Sequence, residues 1–394
     1  MMLLLIILAS IEILTYVLFR QHLYDKYRTW YYIVTLFNGL LSIWLWLLFI
    51  EVLLYRGLFD MPDHIWLLMN LAGMLFAVIF PRILMIMLHY TGRIIRAKTG
   101  GHIRSLTSTG IAIAICAFLI ITSGTLIGRY NVKTEYTEIK LKELDDDLNG
   151  LKIVHLSDLH LASFYHNHKR VEKVMEEINS LKPDLIINTG DFISYGWREF
   201  DRFDTILTKA RGRYGNFTSL GNHDFGTYHP YFTEADRGNH LLLLNKYLES
   251  SGYTVLNDTS QLVTIGDATV AIIGVSAKGS FPHITHGDLQ RAIKGTDISD
   301  LKILLSHDPN HWINEVKGKT DIELTLAGHT HGMQIGITTK KFRWSPAIFF
   351  YPYWNGLYNE GDQFLYVNRG LGSLGIPFRI WMPPEITVIT LVKD

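Results

Sequence analysis

Cysteine is almost absent from this 394-residue sequence, which holds Cys116 alone, inside an apolar run. A single thiol excludes an intramolecular disulfide framework, a cysteine-rich zinc site and a CxxC redox pair. Neither sign of charge is in excess. The 37 Lys and Arg balance 37 Asp and Glu, so no basic surplus points to nucleic acid and no acidic surplus to a solvating tail. Charged residues make up only 19%, whereas 48% of the chain is hydrophobic and its mean hydropathy is +0.14. That is too apolar for a disordered chain. Internal repeats and low-complexity tracts are also missing, and the length allows two or three domains at roughly 100–200 residues each.

What is present divides sharply. Residues 1–128 hold nine basic residues (Arg20, Lys26, Arg28, Arg56, Arg82, Arg93, Arg96, Lys98, Arg104) and five acidic ones (Glu12, Asp25, Glu51, Asp60, Asp63). Four apolar stretches fill that third: Met1 to Phe19, Trp30 to Tyr55, Ile65 to about His89, and Leu106 to about Gly128. About 20 residues at 1.5 Å each cross a hydrocarbon core of about 30 Å, so each stretch is long enough to span. The first lacks a basic n-region and a small-x-small cleavage site, and Glu12 interrupts it, so it reads as a retained span and not a signal peptide. The third contains Pro81 and Arg82, which leaves it open between a full span and a short or re-entrant helix.

Positive charge between the spans sets the expected orientation. Loops one and three are basic, whereas loop two offers Arg56 beside Asp60 and Asp63. With four spans, loops one and three are cytoplasmic and both termini face outward. If the third stretch does not cross, parity flips and the remainder of the chain is cytosolic. Residues 129–150 read as a linker with a leading strand, and 151–394 as a second domain.

From Leu151 the pattern becomes short strands separated by amphipathic segments. Lys152 to Ser157 is β-branched and apolar, Val171, Val174, Met175, Ile178 and Leu181 mark a helix face, Pro183 stops it, and Asp184 to Asn188 forms a second strand. Further helix faces fall at Phe203, Ile206, Leu207, Ala210 and at Leu241, Leu244, Tyr247, Leu248. Strand-like runs recur at 262–265, 269–275, 302–306, 322–326, 364–367 and 386–392. About eight strands with interspersed helices predict an α/β domain whose sheet core is covered by helices.

Polar residues collect where these strands end. The blocks are Asp158-Leu159-His160, Gly190-Asp191, Gly221-Asn222-His223-Asp224, Ser306-His307-Asp308 and Gly328-His329-Thr330-His331. Carboxyl ends of strands are where α/β sheets place ligands. Asp158, His160, Asp191, Asn222, His307, His329 and His331 offer carboxylate, amide and imidazole donors without thiolate, a set suited to Mn²⁺, Fe or Zn²⁺. In an extended DxH or HxH, residues i and i+2 point the same way and would meet one site, while the glycines would let the backbone turn sharply beneath the ions. Two ions about 3.5–4 Å apart can activate a hydroxide and clamp both oxygens of an in-line phosphoryl displacement.

In this order and context the blocks resemble the calcineurin-like metallophosphoesterase superfamily, over about two-thirds of the chain. Within it, the sequence looks most like the bacterial group of YkuE- and YaeI-type membrane phosphoesterases. Supporting residues are Ser157 to Leu161, the run from His329 to Gln334, and a tail with Arg369-Gly370-Leu371-Gly372, Pro377-Phe378-Arg379 and Pro384-Glu385-Ile386. Met333 departs from the group's usual second glycine. The resemblance implies a four-layer αββα sandwich after the transmembrane region. It implies that Asp158, His160 and His331 hold one ion, that Asn222, His307 and His329 hold the other, and that Asp191 bridges them. It also places His223 beside the scissile phosphate as a donor, with Asp224 orienting its imidazole.

Several residues have plainer readings. His155 reads as a packed core histidine and Asp308 as a turn former with Pro309, while His166 and His168 have two readings, caps that open a helix or rim residues that reach the substrate. The aromatic segment 342–354, with Lys340, Lys341 and Arg343, has two readings: a packed surface loop, or an amphipathic flap at the lipid headgroup level.

Three functions follow. The leading one is a dimetal phosphoesterase of the bacterial cytoplasmic membrane, acting outside the cytoplasm on a phosphorylated small molecule or lipid and not on nucleic acid. By resemblance, one candidate reaction is hydrolysis of UDP-2,3-diacylglucosamine in lipid A synthesis, which requires a cytosolic site and so conflicts with the expected orientation. The others are a non-catalytic phosphate-ligand receptor or scaffold, against which all seven donor positions are filled, and a transporter, against which the spans hold few ionisable residues.

Overall fold

The computed structural model describes residues 2–55, 57–99, 104–279, 285–339 and 342–394. The chain forms two units: Met1–Leu58, Leu67–Ile127 and Gly375–Phe378 in the first, and Phe59–Trp66, Gly128–Leu374 and Arg379–Asp394 in the second. Arg56, Lys340 and Lys341, weighed above for their charge, lie outside the described residues.

The apolar stretches become helices α1 (Met2–Leu23), α2 (Arg28–Leu54), α3 (Pro62–Thr99) and α4 (Arg104–Leu126). All four are long and apolar enough to cross a membrane. The third is not short: α3 is one helix of 38 residues that runs through Pro81. Arg82 lies buried on it, but it is not left without partners. Its Nε donates to Asn38 Oδ1 at 3.1 Å, and Nη2 donates to Ser42 Oγ at 2.8 Å and to the Asn38 carbonyl at 3.2 Å. Nη1 reaches Glu12 Oε1 at 3.5 Å, and Glu12 also accepts the Trp46 indole N–H at 3.1 Å. The two charges that interrupt the apolar patterns of α1 and α3 therefore satisfy each other.

The second unit contains helices α5 (His168–Ser180), α6 (Phe203–Leu207), α7 (Glu234–Ser250) and α8 (Leu289–Ala292). Its strands are β1 (Lys133–Leu141), β2 (Lys152–Leu156), β3 (Leu185–Asn188), β4 (Asn216–Thr218), β5 (Thr254–Val255), β6 (Thr259–Ile265), β7 (Ala268–Val275), β8 (Leu301–Ser306), β9 (Leu324–Ala327), β10 (Ile337–Thr338), β11 (Arg343–Trp344), β12 (Gly356–Glu360), β13 (Gln363–Val367) and β14 (Glu385–Lys393). Among the described residues they form two six-stranded sheets, in the orders β1-β14-β2-β3-β4-β5 and β12-β13-β9-β8-β7-β6, with β10 and β11 as a separate pair.

Burial explains the layering. Strands β2, β3, β8 and β9 are covered on both faces, so they read as continuous apolar runs and not as alternating ones. One face of each sheet meets the other: Ile153, Leu185 and Ile187 pack with Ile303, Leu305 and Leu326. The outer face of the first sheet, with Val154, Leu156 and Ile186, is sealed by Val171 and Met175 of α5, Phe203 of α6 and Leu244 of α7. The outer face of the second, with Ile273 and Leu304, is sealed by Leu289 of α8 and Trp312. The result is helix, sheet, sheet, helix, the four-layer αββα arrangement.

The strand count exceeds the eight or so expected from the sequence. Edge strand β1 reads Lys-Thr-Glu-Tyr-Thr-Glu-Ile-Lys-Leu and buries only Ile139 and Leu141, yet it pairs with β14 at all nine positions. Strands β4 and β5 are too short to show a pattern.

The paired charges of the first unit set a stability test. Arg82→Leu strands Glu12 without its cation and should cost about 3 kcal/mol, as stripping one partner from a buried pair does. Replacing both Glu12 and Arg82 by Leu should recover most of that loss. Thermal unfolding of the detergent-solubilised chain measures both, and an unchanged Tm in Arg82→Leu would show that the pair contributes nothing.

Candidate metal centre

The five polar blocks all leave carboxyl ends of strands: β2, β3 and β4 in one sheet, β8 and β9 in the other. Neighbouring strands are parallel within each set, so their carboxyl ends lie side by side. Hydrogen bonds then tie the two sets together. The His329 amide donates to Asp158 Oδ2 at 3.0 Å, and His307 Nδ1 donates to the Thr189 carbonyl at 2.8 Å. Within the first set, the amides of Asp158 and His160 donate to the carbonyls of Gly190 and Asp191.

The local backbone is not what an extended DxH or HxH requires. Asp158, His160, Asp191, His329 and His331 all have positive φ, between 40° and 68°. Left-handed geometry costs a non-glycine residue roughly 1–2 kcal/mol, and such strain collects at functional sites. The extended geometry is corrected accordingly: β2 ends at Leu156 and Asp158 and His160 meet in one donor group through left-handed turns, whereas His329 and His331 belong to different groups. The glycines also do more than turn the chain. Gly190 has φ 100°, but a Cβ at Gly221 would collide with Asp191 Oδ1, so glycine there permits close approach.

Two donor groups result. Asp158, His160 and His331 form one, and Asp191, His307 and His329 the other, each with donor atoms within 4.8 Å of one another. In the first, His331 Nε2 lies 3.2 Å from Asp158 Oδ1 and 3.1 Å from His160 Nε2. In the second, His307 Nε2 lies 3.1 Å from Asp191 Oδ2. Asp191 Oδ2 is also 3.8 Å from His160 Nε2, so this carboxylate faces both groups. Asn222 is buried beside them, its Nδ2 donating to the Tyr228 hydroxyl at 3.0 Å.

Three buried polar atoms make no aligned hydrogen bond: Asn222 Oδ1, and Asp158 Oδ1 and His307 Nε2, which have only ion-pair contacts, the nearest with His331 and Asp191. Buried polar atoms rarely go unpaired, and these three belong to the donor set that the sequence singles out for divalent ions. The residues therefore fit a metal. His160 Nδ1 donates to the Ile193 carbonyl at 3.1 Å, as His307 Nδ1 does to Thr189, which turns the Nε2 atoms to the centre in the manner of ligating imidazoles. Burial works to raise Asp158 and Asp191, but the surrounding imidazoles outweigh it and hold both well below the ordinary carboxylate range. Burial opposes a proton on His307, yet Asp191 and Asp158 push it up to about 10. A field that holds a proton so firmly also attracts a metal cation.

His223 is buried, stacks on Tyr228 with ring centroids 4.1 Å apart, and donates from Nδ1 to the Ser194 carbonyl at 2.7 Å. That bond corrects the role expected of Asp224. Its carboxylate never reaches the His223 ring; it accepts the amides of Asp191 (2.7 Å), Gly221 (2.9 Å) and Phe192 (2.9 Å), so it braces the backbone under the centre. Burial and the nearby Asp191 push Asp224 up to about 8, against the pull of those amides.

Other contributors escaped the sequence reading. Glu199 accepts the amides of Ser194, Tyr195 and Gly196, fixing the loop whose carbonyl holds His223. Tyr351 places its hydroxyl 2.7 Å from His329 Nε2. Arg379, completely buried, donates to the Gly372 and Arg369 carbonyls and lies 3.3 Å from His331 Nδ1. Neither Tyr351 nor Glu199 sits in a metal-ligand spacing, so no motif marks them, whereas Arg379 stands in the tail noted for its resemblance.

The plainer residues fall as follows. His155 is buried and bonds to Thr189 Oγ1, from which hydroxyls of Thr189 and Ser157 lead to Asp158. His168 stacks on Phe203 and meets Asp201 at 3.2 Å, and His166 packs edge-on to Trp66; neither caps α5, whose N-cap is Asn167. Asp308 accepts the Asn310 amide in the expected turn.

The chain is similar to several known proteins. A family model described as calcineurin-like phosphoesterase matches residues 151–333. The chain is 31% identical over 267 residues to the uncharacterized metallophosphoesterase YkuE of Bacillus subtilis, covering 66% of this chain and 84% of that protein. It is 29% identical over 294 residues to a transmembrane protein with metallophosphoesterase domain from Danio rerio, covering 73% of this chain and 63% of that one. It is 27% identical over 303 residues to the UDP-2,3-diacylglucosamine pyrophosphatase LpxG of Chlamydia muridarum, covering 63% and 85% respectively. With its donors gathered at the ends of two sheets and this degree of identity to YkuE, the chain belongs to the calcineurin-like phosphoesterase family and is a metal-dependent phosphoester hydrolase.

Proposed function

We propose that the protein is a membrane-anchored dimetal phosphoesterase that cleaves a phosphomonoester, phosphodiester or pyrophosphate bond of a lipid-linked or cell-envelope substrate. The observation that carries this reading is the position of Asp191, whose Oδ2 faces nitrogens of both donor groups. Asp158, His160 and His331 would hold one ion, Asn222, His307 and His329 the other, with Asp191 between them. The donor chemistry suits Mn, Fe or Zn. Two such ions, when bound, supply an activated water nucleophile and neutralise charge developing on the phosphoryl oxygens.

The chain's own groups position and move protons. The Asp191 carboxylate is held in place by the His223 amide, which donates to Oδ1 at 2.9 Å. Because Nδ1 of His223 is committed to the Ser194 carbonyl, Nε2 is the nitrogen left for substrate. Burial lowers the affinity of this ring for a proton, and an arriving phosphate anion raises it again. The imidazolium then donates from Nε2 to the leaving oxygen. Asp224 acts through the backbone it braces.

We assign residues 1–128 to the membrane domain, 129–150 to a linker carrying the leading strand, and 151–394 to the catalytic domain. The basic first and third loops support a catalytic domain outside the cytoplasmic membrane of a bacterium. Similarity to LpxG favours a second reading, pyrophosphate cleavage of UDP-2,3-diacylglucosamine, which places the domain in the cytosol.

Hydrolysis by the detergent-purified full chain with Mn²⁺ tests both, using bis-p-nitrophenyl phosphate beside UDP-2,3-diacylglucosamine. Cleavage of the diester alone supports the outward-facing enzyme, and cleavage of both supports the second reading. Asp191→Asn should abolish turnover, and full activity in that variant would sink the bridging assignment. His223→Ala should lower kcat by about 10²–10⁴, the usual contribution of a general acid. Gly221→Ala, by displacing Asp191, should weaken metal affinity about 10–100-fold with unchanged circular dichroism, as read by elemental analysis after dialysis.

A further inference from the structure

The aromatic segment that the sequence left between two readings is neither packed away nor loose. Its side chains part company: Tyr351 and Trp354 are buried with Ala347 and Met382, whereas Phe349 is 77%, Phe350 60% and Phe342 57% exposed. Trp381, 65% exposed, comes from another part of the chain. Backbone bonds knit these pieces together. Strand β10 pairs with β11, Ile337 opposite Trp344, and the Ile380 amide donates to the Gln334 carbonyl at 2.8 Å. Ser345 Oγ donates to the Gly332 carbonyl at 2.6 Å. The exposed set, Phe342, Trp344, Ile348, Phe349, Phe350 and Trp381, therefore rides on a braced platform whose own small core is already full.

Elsewhere among the described residues of the second unit, exposed large apolar residues stand singly in the sequence, as Leu242 and Ile298 do. A concentration of this kind marks an interaction surface. Trp381 adds strain, since its φ is +53°, an unusual conformation for a bulky residue and one found where function requires it. The charge of the segment has one sign: residues 332–354 include Lys340, Lys341 and Arg343 and no Asp or Glu. Trp, Phe and basic residues together suit the headgroup and acyl boundary of an anionic bilayer. Four helices of membrane-spanning length are covalently joined to this unit, so a bilayer is a surface it meets at permanently high effective concentration.

We propose that this platform is a docking surface for an anionic lipid bilayer and that it presents membrane-resident phosphate esters to the donor groups. The link to the site is direct. Tyr351 follows the exposed Phe350 and sets its hydroxyl against His329, and Thr330 Oγ1 donates to the Trp354 carbonyl at 2.7 Å. The inference deepens the phosphoesterase reading by naming the substrate class: an amphiphile whose phosphate lies at the bilayer interface.

Two measurements on the full chain test it. In the first, Cys116→Ser removes the native thiol, and a nitroxide at Phe349→Cys is compared with one at Leu242→Cys in vesicles of phosphatidylcholine and phosphatidylglycerol. The Phe349 label should favour oxygen over a water-soluble nickel chelate as relaxing agent, and the Leu242 label the reverse. Equal aqueous accessibility at both positions overturns the proposal, as does spin–spin broadening at Phe349 that disappears on dilution with unlabelled chain, which would assign the platform to a second copy. In the second, Phe349→Ser/Phe350→Ser is assayed on hexadecyl p-nitrophenyl phosphate in the same vesicles and on bis-p-nitrophenyl phosphate in solution. KM for the vesicle-borne ester should rise about tenfold, equivalent to ~1.4 kcal/mol, with the soluble diester unaffected. An equal effect on both esters, or on neither, overturns the presenting role. A wild-type chain that cleaves neither ester overturns the phosphoesterase reading, and the nitroxide comparison then decides the docking surface alone.

Discussion

Two carboxylates, Asp158 and Asp191, lie fully buried where the ends of two sheets meet, and the rest of the structure is arranged around the need to compensate them. Isolated buried charge is prohibitively costly. Here four imidazoles converge on it, and His307 lies within 3.1 Å of Asp191 and 3.8 Å of Asp158. Such a set is stable only with a cation in its midst, a proton or a metal ion, which is why the same residues that threaten the fold supply its chemistry.

Holding that cluster constrains the backbone more than the side chains. Five donor residues occupy left-handed conformations, and the loops are tied to one another, the amides of Asp158 and His160 to the carbonyls of Gly190 and Asp191 and that of His329 to Asp158. The carboxylate of Asp224 gathers the amides of Gly221, Asp191 and Phe192, and that of Glu199 gathers Ser194, Tyr195 and Gly196. These buried acids act as backbone clamps. Rigidity of this sort suits metal binding, since ligands must be held before an ion arrives.

In the first unit the same logic operates in an apolar setting. Glu12, Asn38, Ser42, Trp46 and Arg82 satisfy one another within helices that are otherwise apolar. Taken one helix at a time, Glu12 and Arg82 are blemishes in a hydrophobic pattern. Taken together they are a partnered network, the condition under which polar residues are tolerated in such helices.

The sequence alone marked the four apolar helices, the alternation of strands and helices from Leu151 onward, and the six Asp and His residues that the fold gathers into two donor groups. These are legible because they depend on local period and on residue types at strand ends, both of which are written along the chain. Tertiary structure alone decided that five donor residues turn through left-handed backbone, where an extended DxH or HxH was expected. It also decided that Ser194 and not Asp224 orients His223, that β1 completes a sheet through pairing with β14, and that Phe349 stays exposed while Tyr351 reaches His329. Each of these turns on contacts between segments far apart in sequence and on left-handed turns that no periodicity announces.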